Sequence, residues 1–470
     1  MLKQANSHDK QYINYKNNTH METKELLVRL SESIKNTSNI PKSLFKEMGV
    51  KRGLRNDDHS GVLAGLTRVG DVVGYEKQKD GSLKPIPGEL YYRGINVADL
   101  VHGIQKDNRL GFEETAFLLL SGELPSKDEL GAFRKFMMKI MPLEHTATMN
   151  ILSLQGRNIM NILARSVLEL YIYDEDPDTV SKDNLIRQSI NLIAKFPTII
   201  AYAYNVLRHN QQARSLHVRH PDENLSVAEN FLLMMKGHGN YTELDIKILD
   251  LALILHADHG GGNNSTFSVR VTSSTETDTY SSIAAGIGSL KGPLHGGANV
   301  KVRAMHNDMK DKIEDWKSVD EIDKYLTKIL NKEAFDKTGL IYGVGHAVYT
   351  LTDPRAGLLK EMARDLAVEK NLQDEFDFLE LIEERSLKVL EKFKGARATK
   401  TCVNVDFYSG FVYKSIGLPV EVFTPLFAMA RIVGWSAHRI EELNFSSKRI
   451  IRPAYKNVRE RQAFIPMNKR

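Results

Sequence analysis

The sequence has a single cysteine, Cys402, among its 470 residues, and no uninterrupted apolar run of the ~20 residues that a membrane-spanning helix needs. One cysteine excludes an internal disulfide bond and fits a reducing compartment. Residues 1–20 are polar and lack the apolar core of a secretory signal, and the first arginine is Arg29. We therefore expect a polar N-terminal tail on a cytoplasmic protein that does not enter a membrane.

Phosphate-binding motifs are also missing. No Walker A sequence occurs, and Gly343-x-Gly345 is not a dinucleotide fingerprint, because Val348 stands where the third glycine is needed. The 64 basic and 59 acidic side chains leave a formal net charge of +5, which over this length does not indicate a nucleic-acid-binding protein. With 42% apolar and 26% charged residues, the composition is that of a soluble globular protein of about two or three domains.

What the sequence does have is helix signals. A Ser or Thr followed three residues later by Glu or Asp is a capping box, and it precedes apolar runs at Ser126, Ser226, Thr242 and Ser318. Asp353-Pro354 has the pattern of an N-cap followed by proline at the first helical position. Alternating residues around Asp80-Gly81 instead predict a small β hairpin near residues 71–93.

The first stretch with chemical side chains is LHADHGGGNNSTFSVR, residues 255–270. An apolar helix runs into His256, Asp258 and His259 and meets three glycines. The two histidines are three residues apart, so they share a face if the helix reaches that far. This pattern fits an organic-ligand site at a helix end, or a polar C-terminal turn capped by glycine. A metal site is a third alternative, although the spacing does not match the common zinc motifs.

The second stretch is GPLHGGAN, residues 292–299, with His295 among three glycines and a proline. Asn299 is a candidate cap for a following helix, which would place His295 just before a helix N-terminus. That position disfavours the imidazolium form, so we expect a neutral histidine that donates a hydrogen bond to a developing oxyanion. The alternative is a glycine-rich turn that contains an incidental histidine.

Two further stretches each carry one candidate. In YGVGHAVYTLTDPRAG, His346 follows two glycines and Arg355 comes nine residues later. In NVDFYSG, Asp406 lies between the apolar residues Val405 and Phe407. Apolar surroundings raise the pKa of a carboxyl group and make it a better base, whereas a helix cap or a turn is the other interpretation of a lone aspartate.

Two arginines complete the set. Arg431 interrupts the apolar helix LFAMARIVGW, and Arg452 lies in IIRPAYKN near the C-terminus. A buried arginine needs an anionic partner, which is either a structural carboxylate or the carboxylate of a ligand.

In this order, the stretches resemble the successive active-site segments of citrate synthases. The segments are LHADHGGGN, GPLHGGAN, GVGHAVYTLTDPRA, NVDFYSG and IIRP, and the resemblance spans roughly residues 60–460. It implies an all-α fold of two domains with the minor β hairpin. The implied division is an N-terminal tail 1–20, a large domain 21–296, a smaller inserted helical domain 297–415, and a return to the large domain with a C-terminal arm over 416–470.

The resemblance also implies a role for each candidate. His295 would polarise the acetyl-CoA carbonyl, His346 would polarise the ketone of oxaloacetate, and Asp406 would remove the methyl proton. Oxaloacetate would be bound by His259, Arg355, Arg431 and, from the other subunit of a homodimer, Arg452. The backbone of Gly343, Val344 and Gly345 would contact coenzyme A.

The implied reaction uses acetyl-CoA as a co-substrate, with no permanently bound cofactor and no metal. Four positions depart from the family pattern without removing a residue assigned to the chemistry: Gly260, Thr350, Val403 and Ala454. A 2-methylcitrate synthase that uses propionyl-CoA is the nearest alternative. From other classes, a metal-dependent hydrolase and a non-catalytic binding protein on the same fold remain open.

Overall fold

The structure, a computed structural model, describes residues 23–56, 60–395 and 400–469. It divides into two compact units, residues 1–64 and 65–470. The predicted polar tail, residues 1–20, lies outside the described residues. The predicted domain boundaries after residues 296 and 415 both fall inside the second unit and stay a prediction.

The first unit contains two helices, among the residues that are described there. Residues 23–37 form α1 and Lys42–Glu47 form α2. A short 3-10 turn follows at Arg52–Leu54, and an isolated antiparallel bridge joins Arg55 to Gly61.

The second unit begins with a small antiparallel sheet of three strands in the order β1-β2-β3. The strands are β1 (Gly70–Lys77), β2 (Leu83–Tyr92) and β3 (Ile95–Asn96). The predicted hairpin is confirmed, and its turn is built as the Asp-Gly pair indicates. Asp80 accepts hydrogen bonds from the Ser82 backbone and hydroxyl, and Gly81 has a φ of 86° that suits glycine. The third strand is too short for its pattern to be visible in the sequence.

The remainder of the second unit is helical, as predicted. Three of the four capping boxes form completely; Ser318 accepts from the Glu321 backbone, but the Glu321 side chain turns to the backbone of residues 314 and 315. Asp353 caps its helix ahead of Pro354, as predicted. The helices are α3 (Val97–Lys106), α4 (Phe112–Ser121), α5 (Lys127–Ile140), α6 (His145–Ser153), α7 (Ile159–Glu169), α8 (Lys182–Gln212), α9 (Val227–Lys236), α10 (Glu243–His256), α11 (Asn264–Ser273), α12 (Thr279–Leu290), α13 (Ala298–Lys312), α14 (Val319–Leu330), α15 (Pro354–Glu369), α16 (Gln373–Lys394), α17 (Asp406–Ser415) and α18 (Phe423–Leu443), with 3-10 turns at Leu170–Tyr173, Val420–Val422 and Met467–Lys469.

Two long helices form the centre of the hydrophobic core. In α8, 89% of the most apolar 18-residue window is buried inside the fold, at a mean hydropathy of 1.2. It is the one helix, within the described ranges, that is long and apolar enough to span a membrane, and such burial is equally the property of a core helix. In α18 almost every residue is buried, including Trp435 and Arg431.

The end of α10 is fixed against α18, and this contact positions the candidate residues. The Arg431 Nε donates to the carbonyl of His256 (2.8 Å), and the Gly434 N–H donates to the carbonyl of Ala257 (3.0 Å). A Cβ at position 434 would collide with the Asp258 carboxylate, so the close approach requires glycine there. The histidine motif therefore begins where a helix ends, with its backbone held by a second helix.

Candidate active site

His256 is the last residue of α10, and its side chain forms a hydrogen bond within that helix. Its Nδ1 donates to the carbonyl of Ala252 (2.7 Å), so Nε2 carries a lone pair and acts as an acceptor. The ring packs edge-on against Phe427 with centroids 4.7 Å apart. Burial, with the nearby Arg355 charge, lowers the pKa of His256 to about 3, so the imidazole is neutral at physiological pH.

His259 and His346 come together, although 87 residues separate them in the sequence. Their ring centroids lie 5.1 Å apart in an edge-to-face arrangement. His346 Nδ1 accepts from the backbone N–H groups of Val348 and Tyr349, each at 3.0 Å, which places the proton of a neutral ring on Nε2. His346 therefore presents a donor at Nε2. The Tyr349 ring stacks on His346 at 4.5 Å and fixes its plane.

The charge state of His259 is set by the same surroundings. Burial, followed by the Arg355 charge, by His346 and then by the Arg431 charge, lowers its pKa well below the ordinary value. Its Nε2 is buried and has no hydrogen-bond partner among the residues that the structure describes. A neutral imidazole with a free polar atom can bind a polar group of a ligand at this point.

Arg355 is buried and already paired. Its Nε and Nη2 donate to the two carboxylate oxygens of Asp353 at 3.0 and 2.8 Å, and this pairing raises the pKa of Arg355 in spite of burial. The Asp353 Oδ2 also accepts from the Val405 N–H (3.3 Å). Asp353 thereby connects the start of α15 to the residue that precedes Asp406.

Arg431 is buried and unpaired. Its Nε is bonded to a backbone carbonyl, but Nη1 and Nη2 have no partner, and no carboxylate lies within ion-pair distance in the described part of the chain. The guanidinium lies over the Phe427 ring, 4.8 Å from its centroid. Burial lowers its pKa to about 10, so it stays charged, and two desolvated N–H₂ groups are available for an anion.

His295 lies just before α13, as predicted, and its ring is 6.4 Å from Phe427. Burial, with a contribution from Arg431, lowers the pKa of His295 to about 4, so the expected neutral form is present, mainly through desolvation. Its Nε2 lies 3.0 Å from Ser265 Oγ, which accepts from Trp435 Nε1 (3.1 Å). The Ser265 hydroxyl is also 2.9 Å from Asn263 Oδ1, so its single proton serves either His295 or Asn263.

The expectation for Asn299 was wrong. Gly297 is the N-cap of α13 and makes no side-chain cap. Asn299 lies one residue inside the helix, where its amide is buried and has no hydrogen-bond partner in the described residues. The glycines before it let the chain turn without a capping side chain.

Asp406 is the first residue of α17 and is half-buried. Burial raises its pKa to about 6, and the Asp353 charge acts in the same direction, whereas Arg355 and Arg431 oppose it. The carboxyl is therefore mostly ionised near neutral pH but is a stronger base than an exposed aspartate.

Gly343, Val344 and Gly345 form a short antiparallel bridge with the residues that lead to Asp406. Val344 pairs with Val403, and the Gly345 N–H donates to the carbonyl of Cys402 (2.8 Å). Gly343 and Gly345 have φ of 80° and 100°, which explains both glycines. The N–H groups of Val344 and Gly345 are bonded within the chain, so the coenzyme A contact predicted for this segment stays a prediction.

Arg452 is the one candidate that the chain does not bring to the others. It is exposed, in the segment after α18 that has no helix until Met467–Lys469. Within the described residues it has no hydrogen bond or ion pair to the histidines, to Asp406 or to the other two arginines. Its predicted role requires a second subunit.

The residues described by the structure contain no group of three or more His, Cys, Asp or Glu side chains placed to hold a metal ion. The histidines face arginines instead, and positive charges beside a cation site would oppose metal binding. The donor set therefore fits an organic anion better than a metal.

The family was decided by comparison with known proteins. Residues 58–454 match the family described as citrate synthase, C-terminal domain. The chain belongs to the citrate synthase family. It is therefore an enzyme of citrate synthase-type condensation, in which an acyl group is transferred to oxaloacetate.

Relatives in the family carry two different names. The chain is 35% identical over 373 residues to a citrate synthase of Corynebacterium glutamicum, covering 78% of this chain and 79% of the relative. It is 33% identical over 430 residues to 2-methylcitrate synthase 1 of the same organism, covering 90% and 98%. The citrate synthase of Thermoplasma acidophilum, solved as a ternary complex with carboxymethyl coenzyme A and oxaloacetate, has a TM-score of 0.71 and 27% identity, covering 87% of this chain and 97% of that one.

The site also contains residues that the sequence analysis missed. Asp353 was predicted only as a helix cap, yet it also holds Arg355, and the spacing Asp-x-Arg at a helix start was the available signal. Ser265 and Phe427 contact His295, but neither stands in a pattern that distinguishes it from a core residue. Only the packing of α11 and α18 brings them there.

Proposed function

We propose that the chain condenses acetyl-CoA with oxaloacetate and hydrolyses the resulting citryl-CoA to citrate and coenzyme A. The observation that carries this proposal is Arg431, a fully buried guanidinium whose Nη1 and Nη2 lack partners among the described residues and whose charge acts on His259. A dicarboxylate would supply the missing anion. Guanidinium binds a carboxylate in a planar, bidentate manner that lysine cannot reproduce.

In the first step, the Asp406 carboxylate takes a proton from the methyl group of acetyl-CoA, and charge moves to the thioester oxygen. His295, neutral because of burial, donates a hydrogen bond to that oxygen as the charge develops. For this role the Ser265 hydroxyl donates to His295 Nε2, which leaves the ring proton on Nδ1. A raised pKa at Asp406 reduces the mismatch between a carboxylate and a very weak carbon acid.

In the second step, the enol carbon attacks the ketone carbon of oxaloacetate and a carbon–carbon bond forms. The His346 Nε2–H, fixed by the two backbone donors on Nδ1, donates a hydrogen bond that polarises the ketone and stabilises negative charge on its oxygen as the carbon–carbon bond forms. The arginines hold the two carboxylates so that the ketone faces the nucleophile, and such orientation contributes several kcal/mol. Water then hydrolyses the thioester of citryl-CoA, so the site closes for condensation and admits water afterwards.

Propionyl-CoA is the second candidate acyl donor. The relative named 2-methylcitrate synthase 1 is 33% identical and 98% of its length is covered, which favours this activity as much as its citrate synthase relatives favour the first. One extra methylene in an apolar pocket changes binding by only about 1–3 kcal/mol. We therefore expect both thioesters to react, acetyl-CoA faster.

The test is release of free coenzyme A thiol from acetyl-CoA or propionyl-CoA in the presence of saturating oxaloacetate, with Asp406→Asn as the matched inactive variant. Faster turnover of acetyl-CoA, abolished in Asp406→Asn and unaffected by EDTA, supports the proposal. Faster turnover of propionyl-CoA assigns the chain as a 2-methylcitrate synthase. Loss of activity with EDTA favours the metal-dependent hydrolase, and no release from either thioester favours a binding protein.

The proposal includes a homodimer in which Arg452 reaches the partner's oxaloacetate. Its exposure in a single chain and its place in a segment with exposed aromatic residues, Tyr455 and Phe464, support this arrangement. Coexpression of Asp406→Asn with Arg452→Ala tests it. If Arg452 acts in trans, mixed dimers contain one intact site and activity returns to about a quarter of the wild-type value. If Arg452 acts within its own chain, the mixture stays as inactive as its parents.

Two further parts of the proposal rest on the sequence. We place the enzyme in the cytoplasm, because its single cysteine suits a reducing compartment. We assign coenzyme A to the side of the site formed by Gly343, Val344 and Gly345, next to Asp406. A bulky residue in place of Gly345 should raise KM for the acyl-CoA substrate, and the size of that increase measures the contact.

A further inference from the structure

A histidine and a carboxylate are paired next to the candidate site, outside the residues assigned to substrate. His438 on α18 is fully buried, and its Nε2 lies 3.2 Å from the Oδ1 of Asp258, which is buried as well. Neither atom has a hydrogen-bond partner among the described residues, and the two lie within ion-pair distance of each other, so a small rotation of the imidazole would let Nε2–H donate to Oδ1. Asp258 directly precedes His259 in the chain.

The proton of His438 is located by its other neighbour. Arg270 Nη1 lies 3.0 Å from His438 Nδ1, and a guanidinium can only donate, so Nδ1 is the acceptor. The proton of the neutral ring is therefore on Nε2, facing Asp258. Arg270 is held in turn by Glu441 and Glu442, each at 2.8 Å. These contacts select one tautomer of His438.

Asp258 is restrained on its remaining sides. Its Oδ2 accepts from the Gly260 N–H (2.9 Å), and its own N–H donates to the Tyr92 hydroxyl (3.2 Å). Cβ atoms at Gly70 or Gly434 would collide with its carboxylate. Burial would raise the pKa of Asp258, but His438, Arg431 and the Gly260 N–H together hold it below the usual range, so the group is an anion. The turn that carries His259 is thus built around a fixed carboxylate.

We propose that His438 is a positioning residue for oxaloacetate: by donating to Asp258 it fixes the turn that presents His259 opposite Arg431. Both Arg431 and His438 lie on α18, seven residues or about two turns apart, so they share one face of the helix. Arg431 holds the backbone of α10 at His256, and His438 holds the turn that follows. One helix therefore sets the distance between the cation and the imidazole that bind the same substrate. This inference rests on the proposed function, which assigns both groups to oxaloacetate.

The test compares His438→Leu, which removes the donor, with His438→Gln, whose amide N–H can replace Nε2–H. In steady-state kinetics with acetyl-CoA, we expect His438→Leu to raise KM for oxaloacetate about tenfold or more, since a displacement of about 1 Å is sufficient for such a loss. KM for acetyl-CoA should change by less than about twofold, and His438→Gln should recover most of the oxaloacetate affinity.

Leu443→Ala is the matched control, because it truncates a buried apolar side chain near the end of the same helix. It should lower the melting temperature without changing KM for oxaloacetate. If His438→Leu does not fold, His438→Asn takes its place, because its shorter amide cannot reach Asp258. An unchanged KM for oxaloacetate in His438→Leu or His438→Asn, or no difference from His438→Gln, overturns the inference. Absence of coenzyme A release by the wild-type protein is a separate result and would overturn the proposed function instead.

Discussion

Arg355 at the start of α15 and Arg431 in the middle of α18 are both buried, and the charges of both act on His256 and His259. The two arginines differ in their hydrogen-bond and ion-pair partners. Arg355 forms a two-bond pair with Asp353, and its pKa is raised. Arg431 has two N–H₂ groups without a partner in the part of the chain that the structure describes, and burial lowers its pKa to about 10. One cation forms an ion pair within the fold, and the other makes no direct ion pair in the described residues, although the charges of Asp258 and Asp406 act on it.

This difference indicates two roles for a buried arginine, a structural ion pair and the binding of an anion, which the sequence pattern does not distinguish. A buried ion pair is stable because each partner compensates the other, and removal of one partner leaves an uncompensated charge. A buried cation without a partner destabilises the free protein and is compensated when an anion binds. We therefore propose that Arg431 contributes most of the oxaloacetate binding energy, and that Arg355, held by Asp353, makes a positioning contact.

The largest effect should follow Arg431→Met, which removes the unpaired cation. We expect kcat/KM for oxaloacetate to fall by about 10³, because a desolvated carboxylate contact of about 4 kcal/mol is lost. The free energy of unfolding should change by less than about 1 kcal/mol, because removing a desolvated charge offsets the loss of the Nε bond to the His256 carbonyl. Kinetics and urea denaturation measure the two quantities. A protein that loses activity and several kcal/mol of stability together would contradict this assignment.

Arg355→Met should show the opposite balance. It leaves the Asp353 carboxylate buried without its partner, so we expect a loss of about 3 kcal/mol in urea denaturation. Arg364→Met is the matched control, because Arg364 lies on the same helix and pairs with Glu380 at the surface, where such a pair contributes less than about 1 kcal/mol. Equal losses in the two variants would show that the buried pair has no special role.

The double variant Asp353→Asn with Arg355→Met sharpens the comparison. Asparagine can still cap α15 but carries no charge, so at least about 1 kcal/mol of the stability lost in Arg355→Met should return. The measurement is the coupling energy from a double-mutant cycle. Additive losses would mean that the stability effect comes from packing and not from the unpaired carboxylate.

A smaller effect is expected from pH. It tests whether burial and Asp353 raise the pKa of Asp406 in spite of the opposing charges of Arg355 and Arg431. With a pKa of about 6, only about a tenth of the carboxyl is ionised at pH 5, so kcat/KM should fall about tenfold between neutral pH and pH 5. The value of kcat/KM falls toward low pH because the base is the ionised carboxylate, which becomes protonated as the pH decreases. His295, with a pKa of about 4, stays neutral over this range. A flat profile down to pH 5 would contradict the raised pKa.

Much of this site could be predicted from the sequence because its signals are local. Helix spacing, capping boxes and the Asp-Gly turn predicted the helical fold and the hairpin, and two of the motifs contain His259 and His346, whose rings the structure brings together. The partners of those residues could not be predicted in the same way. Ser265 and His438 lie on α11 and α18, and their contacts with His295 and Asp258 exist only after these helices pack. The pairing of Asp353 with Arg355 is local, but an aspartate that only caps a helix would give the same sequence pattern.

The most direct test of the central claim is a calorimetric titration of oxaloacetate, without any acyl-CoA, into the wild-type protein, Arg431→Met and Arg355→Met. The account predicts binding of one oxaloacetate per chain to the wild-type protein and weaker but measurable binding to Arg355→Met. It predicts no detectable binding to Arg431→Met, provided that this variant keeps the wild-type stability. Equal affinity of the wild-type protein and Arg431→Met would contradict the claim that the unpaired guanidinium is the site of the substrate carboxylate.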